Sequence, residues 1–429
     1  MNVIMKHMDV ALRPDPSRTV LRPFALDWPA GFVVKDQTRA HKIVNRILAL
    51  DHAALTSELA DVVATLGARH RDVELIFDRR FEGLAGMLGD AGPFTPEQAR
   101  LIGAFFSQEY AFEAAALFNP SIVLHPEQDG VPEGTVRFVM SLRGIGEGHV
   151  SSVTFRTGTW TPGGRIIIDP ASKSGVAPIV DQQADRDDVV DVALHCGGSR
   201  VVSETVLFPI LASQKGGIED VRFCRFVEED GSVIYHGTFT AFSGMEARSE
   251  LLSGTDFRNF QMRKLTGDAA GAKGMALFPR RIDGRYAMLG RQDNENVWLI
   301  YSDDLYHWHG GQKVIEPAYS WEAIQMGNCG SPIELDEGWL VLTHGVGMVR
   351  NYAMGACLLD KADPSKLLAR TPRPILEADP EERAGYVPNV VYSCGGLVQD
   401  RTLLLPYGVA DSVTSFATVG VDALLALME

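Results

Sequence analysis

The chain is poor in cysteine, in positive charge and in uninterrupted hydrophobic sequence, and each shortage removes a class of protein. Five cysteines, at 196, 224, 329, 357 and 394, are scattered through 429 residues with no CxxC or zinc-type spacing. That excludes a disulfide framework and suits a reducing compartment. Forty Lys and Arg against 55 Asp and Glu leave a net charge of -15, with no long basic run as a local exception, so no nucleic-acid partner is expected. No stretch approaches about 18 uninterrupted apolar residues, and Met1–His7 is not followed by the apolar core of a signal peptide. The expectation is a cytoplasmic protein with no membrane partner. Eleven histidines do not cluster with Asp, Glu or Cys at ligand spacing, so no metal is expected.

What the chain does have is ample apolar residue for a core and a change of texture near residue 115. Before it, Ala, Leu, Glu and Arg dominate from about Arg39 to Leu66, and apolar residues recur at three and four. Ile43, Ile47 and Leu48, then Leu55, Leu59, Val62 and Val63, form stripes broken near Asp51, which predicts two helices. A third is predicted from Thr95 as N-cap and Pro96 in the first turn through Tyr110. Thr19–Phe24 reads as a strand that Pro23 confines to a sheet edge. The expected division is 1–115, a strand followed by helices, and 116–429, a β domain.

From Asn119 onward short strands alternate with Gly, Asp, Asn and Pro turns, the pattern of a sandwich, barrel or propeller. Leu252–Phe260 and Ile300–Trp308 share a strand, a small-polar-Asp turn and a following aromatic, with Asp256 and Asp304 at matching places. A period of about 40 to 50 residues selects a propeller, and about 300 residues at that period suggest six or so blades.

The most distinctive stretch is Asn328–Gly347. Gly330-Ser331-Pro332 and Asp336-Glu337-Gly338 are turns, and Trp339–Thr343 is an apolar strand that delivers His344 to its end. Such a histidine faces a ligand or is buried against a carbonyl, and the segment alone leaves both open. Four other segments accompany it: Phe118-Asn119-Pro120-Ser121, Ile218-Glu219-Asp220-Val221-Arg222, Lys273–Pro279 leading to Gly290-Arg291, and Pro406–Asp411. In joint order and spacing, over roughly residues 117 to 415, they resemble glycoside hydrolase family 130, the mannoside phosphorylases and related mannosidases.

The resemblance implies a mainly β fold, a five-bladed β-propeller, here with an N-terminal α-helical extension. It implies that Asp220 is the single general acid, in a Glu-Asp-Pro-Arg-like motif with Val221 in place of the proline. Without it, Asp220 and Arg222 would read as a surface ion pair. The positions matching the family's phosphate pocket are Lys273, Arg291, Gln325 and His344. Lys273 stands where arginine is common and Gln325 where lysine is, so one cation is lost and one exchanged for a point charge. Arg350 and His149 are nearby basic candidates. Asn119, Arg143 and Asp411 match sugar-binding positions, Asp411 in subsite −1. Tyr352, Tyr407 and Trp308 are candidates for stacking on a sugar, with core packing an equal reading. The polar run Arg291–Asn296 reads as an acceptor-subsite rim or as a solvated hairpin.

An inverting glycosidase needs an acid and a base, whereas a phosphorylase needs only the acid, because phosphate is already an anionic nucleophile. The implied activity is therefore an inverting β-mannoside phosphorylase. Phosphate, held by Lys273, Arg291 and His344, attacks the anomeric carbon while Asp220 protonates the leaving oxygen, giving α-mannose 1-phosphate. Inorganic phosphate is the co-substrate, no cofactor is needed, and short β-mannosides are the partners. An inverting β-mannosidase, with Glu147, Glu295 or Glu334 activating water, is the alternative that Gln325 supports, although Glu334 sits in a structural turn. A non-catalytic glycan-binding propeller is a third, against which Asp220 weighs. The helical segment is expected to serve self-association, making a homo-oligomer, or to shape the acceptor end of the cleft.

Overall fold

The computed structural model describes residues 5–24, 38–88, 92–182, 191–379 and 385–429. They form two units, one of Met1–Pro16, Phe112–Ser172 and Pro178–Glu429, the other of Ser17–Ala111 with Lys173–Ala177. The division expected at 115 is thus corrected at its start. Lys6–Leu12 pairs antiparallel with Val413–Gly420, Lys6 opposite Thr418, so the described residues up to Pro16 belong to the β unit. Backbone ladder bonds to a strand some 400 positions away outweigh sequence adjacency here.

The smaller unit is helical. Arg39–Leu48 and His52–Gly67 are separated where Asp51 caps the second helix, its side chain accepting from the N–H of Ala54 at 2.8 Å. Pro96–Phe105 begins with a capping box between Thr95 and Gln98. It ends five residues before the expected Tyr110, because Ser107–Ala111 leaves the helix to pair with Thr19–Pro23. The apolar stripes meet in a core of Val44, Ile47, Leu55, Leu101, Ile102 and Phe106.

The larger unit is mainly β, with five antiparallel sheets of four to six strands. Sheet 1 contains Ala116–Leu124, Val136–Ile145, Ser151–Trp160, Ile166–Ile168 and Val206–Leu207. Sheet 2 runs Gly217–Val227, Val233–Phe242, Ala247–Gly254, Asn259–Lys264, Asp191–His195 and Ile179–Gln182. Sheet 3 is Ala276–Leu277, Tyr286–Gly290, Val297–Ser302 and Gln312–Ile315. Sheet 4 is Gln325–Asn328, Trp339–Val346, Tyr352–Leu359 and Leu367–Arg370, with Ile333–Glu334 beside its second strand. Sheet 5 is Val391–Tyr392, Thr402–Val409, Val413–Gly420 and Lys6–Leu12, with Leu397–Gln399.

The repeated aspartate has a physical role. Asp256 accepts from the N–H groups of Arg258 and Asn259, and Asp304 from that of Tyr306, each in the turn between the third and fourth strands of its sheet. Asp360 does the same in sheet 4, accepting from Ala362 and Asp363. Three consecutive sheets therefore reverse on one Asx turn. All five cysteines are free and buried, and burial pushes the thiols of Cys196, Cys224, Cys329 and Cys357 up to about 12. Among the described residues, no helix is long and apolar enough to cross a membrane, and no three His, Cys, Asp or Glu group as metal ligands.

Candidate active site

Two matching β-bulges present the central polar pair. In sheet 1, pairing passes from Phe118–Arg143 to Ser121–Ser141, so Asn119 and Pro120 face the single residue Leu142. In sheet 2 it passes from Glu219–Thr240 to Arg222–Thr238, so Asp220 and Val221 face Phe239 alone. Asn119 and Asp220 are left-handed, with φ of 49° and 53°. Short polar side chains tolerate that conformation, and a bulge re-aims the side chain it carries. The two thereby meet: Nδ2 of Asn119 donates to Oδ1 of Asp220 at 2.7 Å. Val221 occupies in its bulge the place that Pro120 takes in the other, so the missing proline leaves the bulge intact.

Arg143 braces this pair. Its Nη2 donates to Oε1 of Glu219 at 2.8 Å, its Nε to Ser151 at 2.8 Å, and its Nη1 lies 3.8 Å from Oδ1 of Asp220. Asp411 closes the turn between Thr402–Val409 and Val413–Gly420, left-handed like Ala410 before it. Burial and the neighbouring charge of Asp220 push its carboxyl up to about 6, against the opposing effect of Arg143 and Arg350.

A second group lies within electrostatic range. Arg291, the last residue of the Gly290-Arg291 segment, is 6% exposed, and its Nη1 donates to Nε2 of His344 at 3.2 Å. Gly327 makes the approach possible. A Cβ there would lie 2.3 Å from Cδ of Arg291 and 2.7 Å from Cε1 of His344. His344 is not at a strand end, as expected, but inside Trp339–Val346 and 1% exposed. Burial, then the charges of Arg291, Arg222 and Lys273, hold its ring well below the usual histidine range, so it is neutral. Nε2 accepts from Arg291, and Nδ1 carries the proton toward Sγ of Cys329, 3.7 Å away. Tyr352 stacks on the imidazole at 6.1 Å between ring centres, and Tyr392 meets it edge-on at 5.0 Å. Burial lowers the Arg291 guanidinium from its ordinary value, and its Nε is buried without a partner. An incoming oxyanion would satisfy that capacity.

Arg222 and Tyr392 connect the groups. Arg222 Nη1 donates to the backbone carbonyl of Asp220 at 3.1 Å, and Nη2 to the phenol of Tyr392 at 2.6 Å. Tyr392 carries no sequence signal, because Val390-Val391-Tyr392 reads as an apolar strand.

The structure therefore brings Asn119, Arg143, Asp220 and Asp411 together, and beside them Arg291, His344 and Tyr352. Lys273 is exposed but acts on His344, and Gln325 is half-buried opposite Val346. For two aromatic candidates the core reading holds. Trp308 is fully buried, its indole donating to the carbonyl of Leu305 at 2.7 Å, and Tyr407 is 2% exposed with its phenol 2.9 Å from Nδ1 of His7. Both are core residues. Glu334 is bound by Arg280 through both oxygens at 2.9 and 2.8 Å and lies 3.5 Å from Lys361, and those cations hold it below the ordinary range, unlike a base. Glu147 and Glu295 are exposed on turns.

The glycoside hydrolase family 130 model, described as beta-1,4-mannooligosaccharide phosphorylase, matches residues 201–429. A 1,2-beta-oligomannan phosphorylase of Thermoanaerobacter sp. is 37% identical over 208 residues, 47% of this chain and 67% of the relative. A beta-1,2-mannobiose phosphorylase of Listeria innocua is 34% identical over 233 residues, 52% of this chain and 63% of the relative, so the chain spans less than two thirds of that protein. The solved structure of a Listeria innocua beta-1,2-mannobiose phosphorylase in complex with beta-1,2-mannobiose is similar over 74% of this chain and 92% of that one, with a TM-score of 0.51 at 24% identity.

Proposed function

Because the chain belongs to glycoside hydrolase family 130, we propose that it is an inverting β-mannoside phosphorylase with Asp220 as general acid and short β-1,2-linked mannosides as its first substrates. The observation that carries the reading is the buried Arg291 guanidinium held 3.2 Å from a buried, neutral His344, on which the charges of Arg222 and Lys273 also act. Such a cationic pocket holds inorganic phosphate in line with an anomeric carbon, and the bulge that presents Asp220 supplies the proton for the departing oxygen. The products are α-mannose 1-phosphate and a sugar one residue shorter. Asn119, Arg143 and Asp411 bind the mannosyl unit, and Tyr352 flanks it. The linkage is taken from relatives named for β-1,2-mannosides.

The same reading makes the β unit a five-bladed propeller, with one sheet per blade. The order of packing supports it. Ala116–Leu124 packs on Gly217–Val227, and that on Ala276–Leu277; sheet 3 packs on Gln325–Asn328; Tyr352–Leu359 packs on Val391–Tyr392; and Thr402–Val409 returns to Ala116–Leu124. The protein acts in the cytoplasm as a homo-oligomer, with phosphate as its only co-reactant and no resident metal or organic cofactor.

The test is anomer-resolved proton NMR with β-1,2-, β-1,3- and β-1,4-mannobiose, with and without phosphate. Phosphate-dependent α-mannose 1-phosphate is the expected product. Free α-mannose at a phosphate-independent rate would make the protein an inverting mannosidase and direct the search for a base to Glu147 and Glu295.

A further inference from the structure

Two turns of the β unit share one backbone shape but differ at the residue that shape most constrains. Gly146–Val150 in sheet 1 and Gly347–Asn351 in sheet 4 each join the second strand of a sheet to the third. Each opens on a glycine at nearly the same angles, φ −114°, ψ −158° and φ −110°, ψ −157°. Each closes with that glycine's N–H donating to the carbonyl of the fifth residue, at 3.4 and 2.9 Å. The third and fourth residues of both are left-handed. The fourth are His149 and Arg350, at φ 57° and 56°. The third are Gly148, at φ 69°, and Val349, at φ 51°.

Glycine takes this conformation freely, whereas a β-branched residue there is a strained outlier. Burial does not offset the strain. Val349 is 88% exposed and Met348 beside it 78%. The turn also has a particular place. The chain enters it from His344 and leaves it through Tyr352, the Arg350 guanidinium lies 5.9 Å from the Tyr352 ring centre, and its charge acts on Asp411. An exposed apolar pair is thus held, at a conformational cost, in the turn between the strands of His344 and Tyr352, beside Arg350, whose charge acts on Asp411.

We propose that Val349, with Met348, forms the apolar wall of the acceptor subsite and is a specificity-determining residue, packing on the C–H face of the neutral hexopyranose that leaves in phosphorolysis and enters in synthesis. This rests on the phosphorylase reading. The turn is strained because its side chain is placed for the acceptor, and a substitution that relaxes the turn loses acceptor recognition.

The test is synthesis from α-mannose 1-phosphate with mannose or β-1,2-mannobiose as acceptor, using the full chain and the variants Val349→Gly, Val349→Asn and Val349→Ile. Glycine and asparagine both tolerate the left-handed region. Each is expected to raise the melting temperature, to raise the acceptor KM about tenfold, and to leave the phosphate KM of the forward reaction unchanged. Isoleucine, equally apolar and equally strained, is expected to keep the wild-type acceptor KM and melting temperature. A raised melting temperature with unchanged acceptor KM in the first two variants would overturn the proposal, as would equal changes in acceptor and phosphate KM. Absence of phosphate-dependent turnover by the wild type with any β-mannobiose overturns the phosphorylase reading itself, and this inference with it.

Discussion

Nδ2 of Asn119 donates to Oδ1 of Asp220 at 2.7 Å, joining residues 101 positions apart through the bulges of two neighbouring sheets. The bond fixes which oxygen of Asp220 is engaged, and under the proposed function it orients the carboxyl for proton transfer. Asp220→Asn is expected to lower kcat by a factor of about 10³ or more while mannobiose binding, followed by calorimetry, persists. Asn119→Ala leaves the acid present but unaimed, with kcat about tenfold lower and the phosphate KM unchanged. If Asp220→Asn kept wild-type turnover, the acid assignment would fail.

His344 is a neutral acceptor that orients Arg291 and is not itself a cation. Long-range proton–nitrogen NMR of the imidazole at pH 6 is expected to find Nδ1 protonated and Nε2 bare. The ring pKa lies well below 6.5, so the signals should not move between pH 6 and 8. A titration in that window would refute the arrangement.

Gly327→Ala places a methyl 2.3 Å from Cδ of Arg291 and 2.7 Å from Cε1 of His344. The guanidinium must shift or the strand must yield. The phosphate KM is expected to rise at least tenfold and stability to fall by about 1–3 kcal/mol, read by phosphorolysis kinetics and thermal melting. A variant with wild-type phosphate KM would show that Arg291 does not hold the anion.

Asp411 links stability to pH. Its carboxyl is pushed up to about 6 in the folded protein, against about 3.9 when unfolded. The folded state therefore holds a proton that the unfolded state releases. The resulting stabilisation is fully present below about pH 4 and is lost as pH rises through 6. Asp411→Asn removes that dependence. The stability of the variant relative to wild type is expected to rise between pH 4 and 6 by at most about 3 kcal/mol and then level off. Denaturant melts at pH 4, 5, 6 and 7 measure it, and a difference that is flat with pH would contradict the burial of this carboxyl.

Much of the polar cluster was legible only through the family resemblance, which short local motifs carry. Asp220 with Arg222, the Gly290-Arg291 pair and His344-Gly345 each stand in short polar or glycine-marked interruptions of apolar strands. Asp256 and Asp304 marked the repeat, since an aspartate capping a turn is a local device. Tyr392 was not legible. It looks like any aromatic in a strand, and only the approach of Arg222 across 170 positions gives it a polar partner. Trp308 and Tyr407 could be read either way in the sequence, because stacking surfaces and core residues share the same composition.

The sequence by itself determined the alternation of strand and turn, the helical texture of the N-terminal segment, the break between its first two helices near Asp51 and the cap at Thr95. These depend on neighbours within a few residues, through hydrogen bonds and periodicity that a linear pattern records. Only the tertiary structure decided that Lys6–Leu12 joins the last sheet, that two bulges aim Asn119 and Asp220 at one another, and that His344 is neutral. Those outcomes depend on desolvation and on partners brought together from distant positions, and neither is written in any one segment.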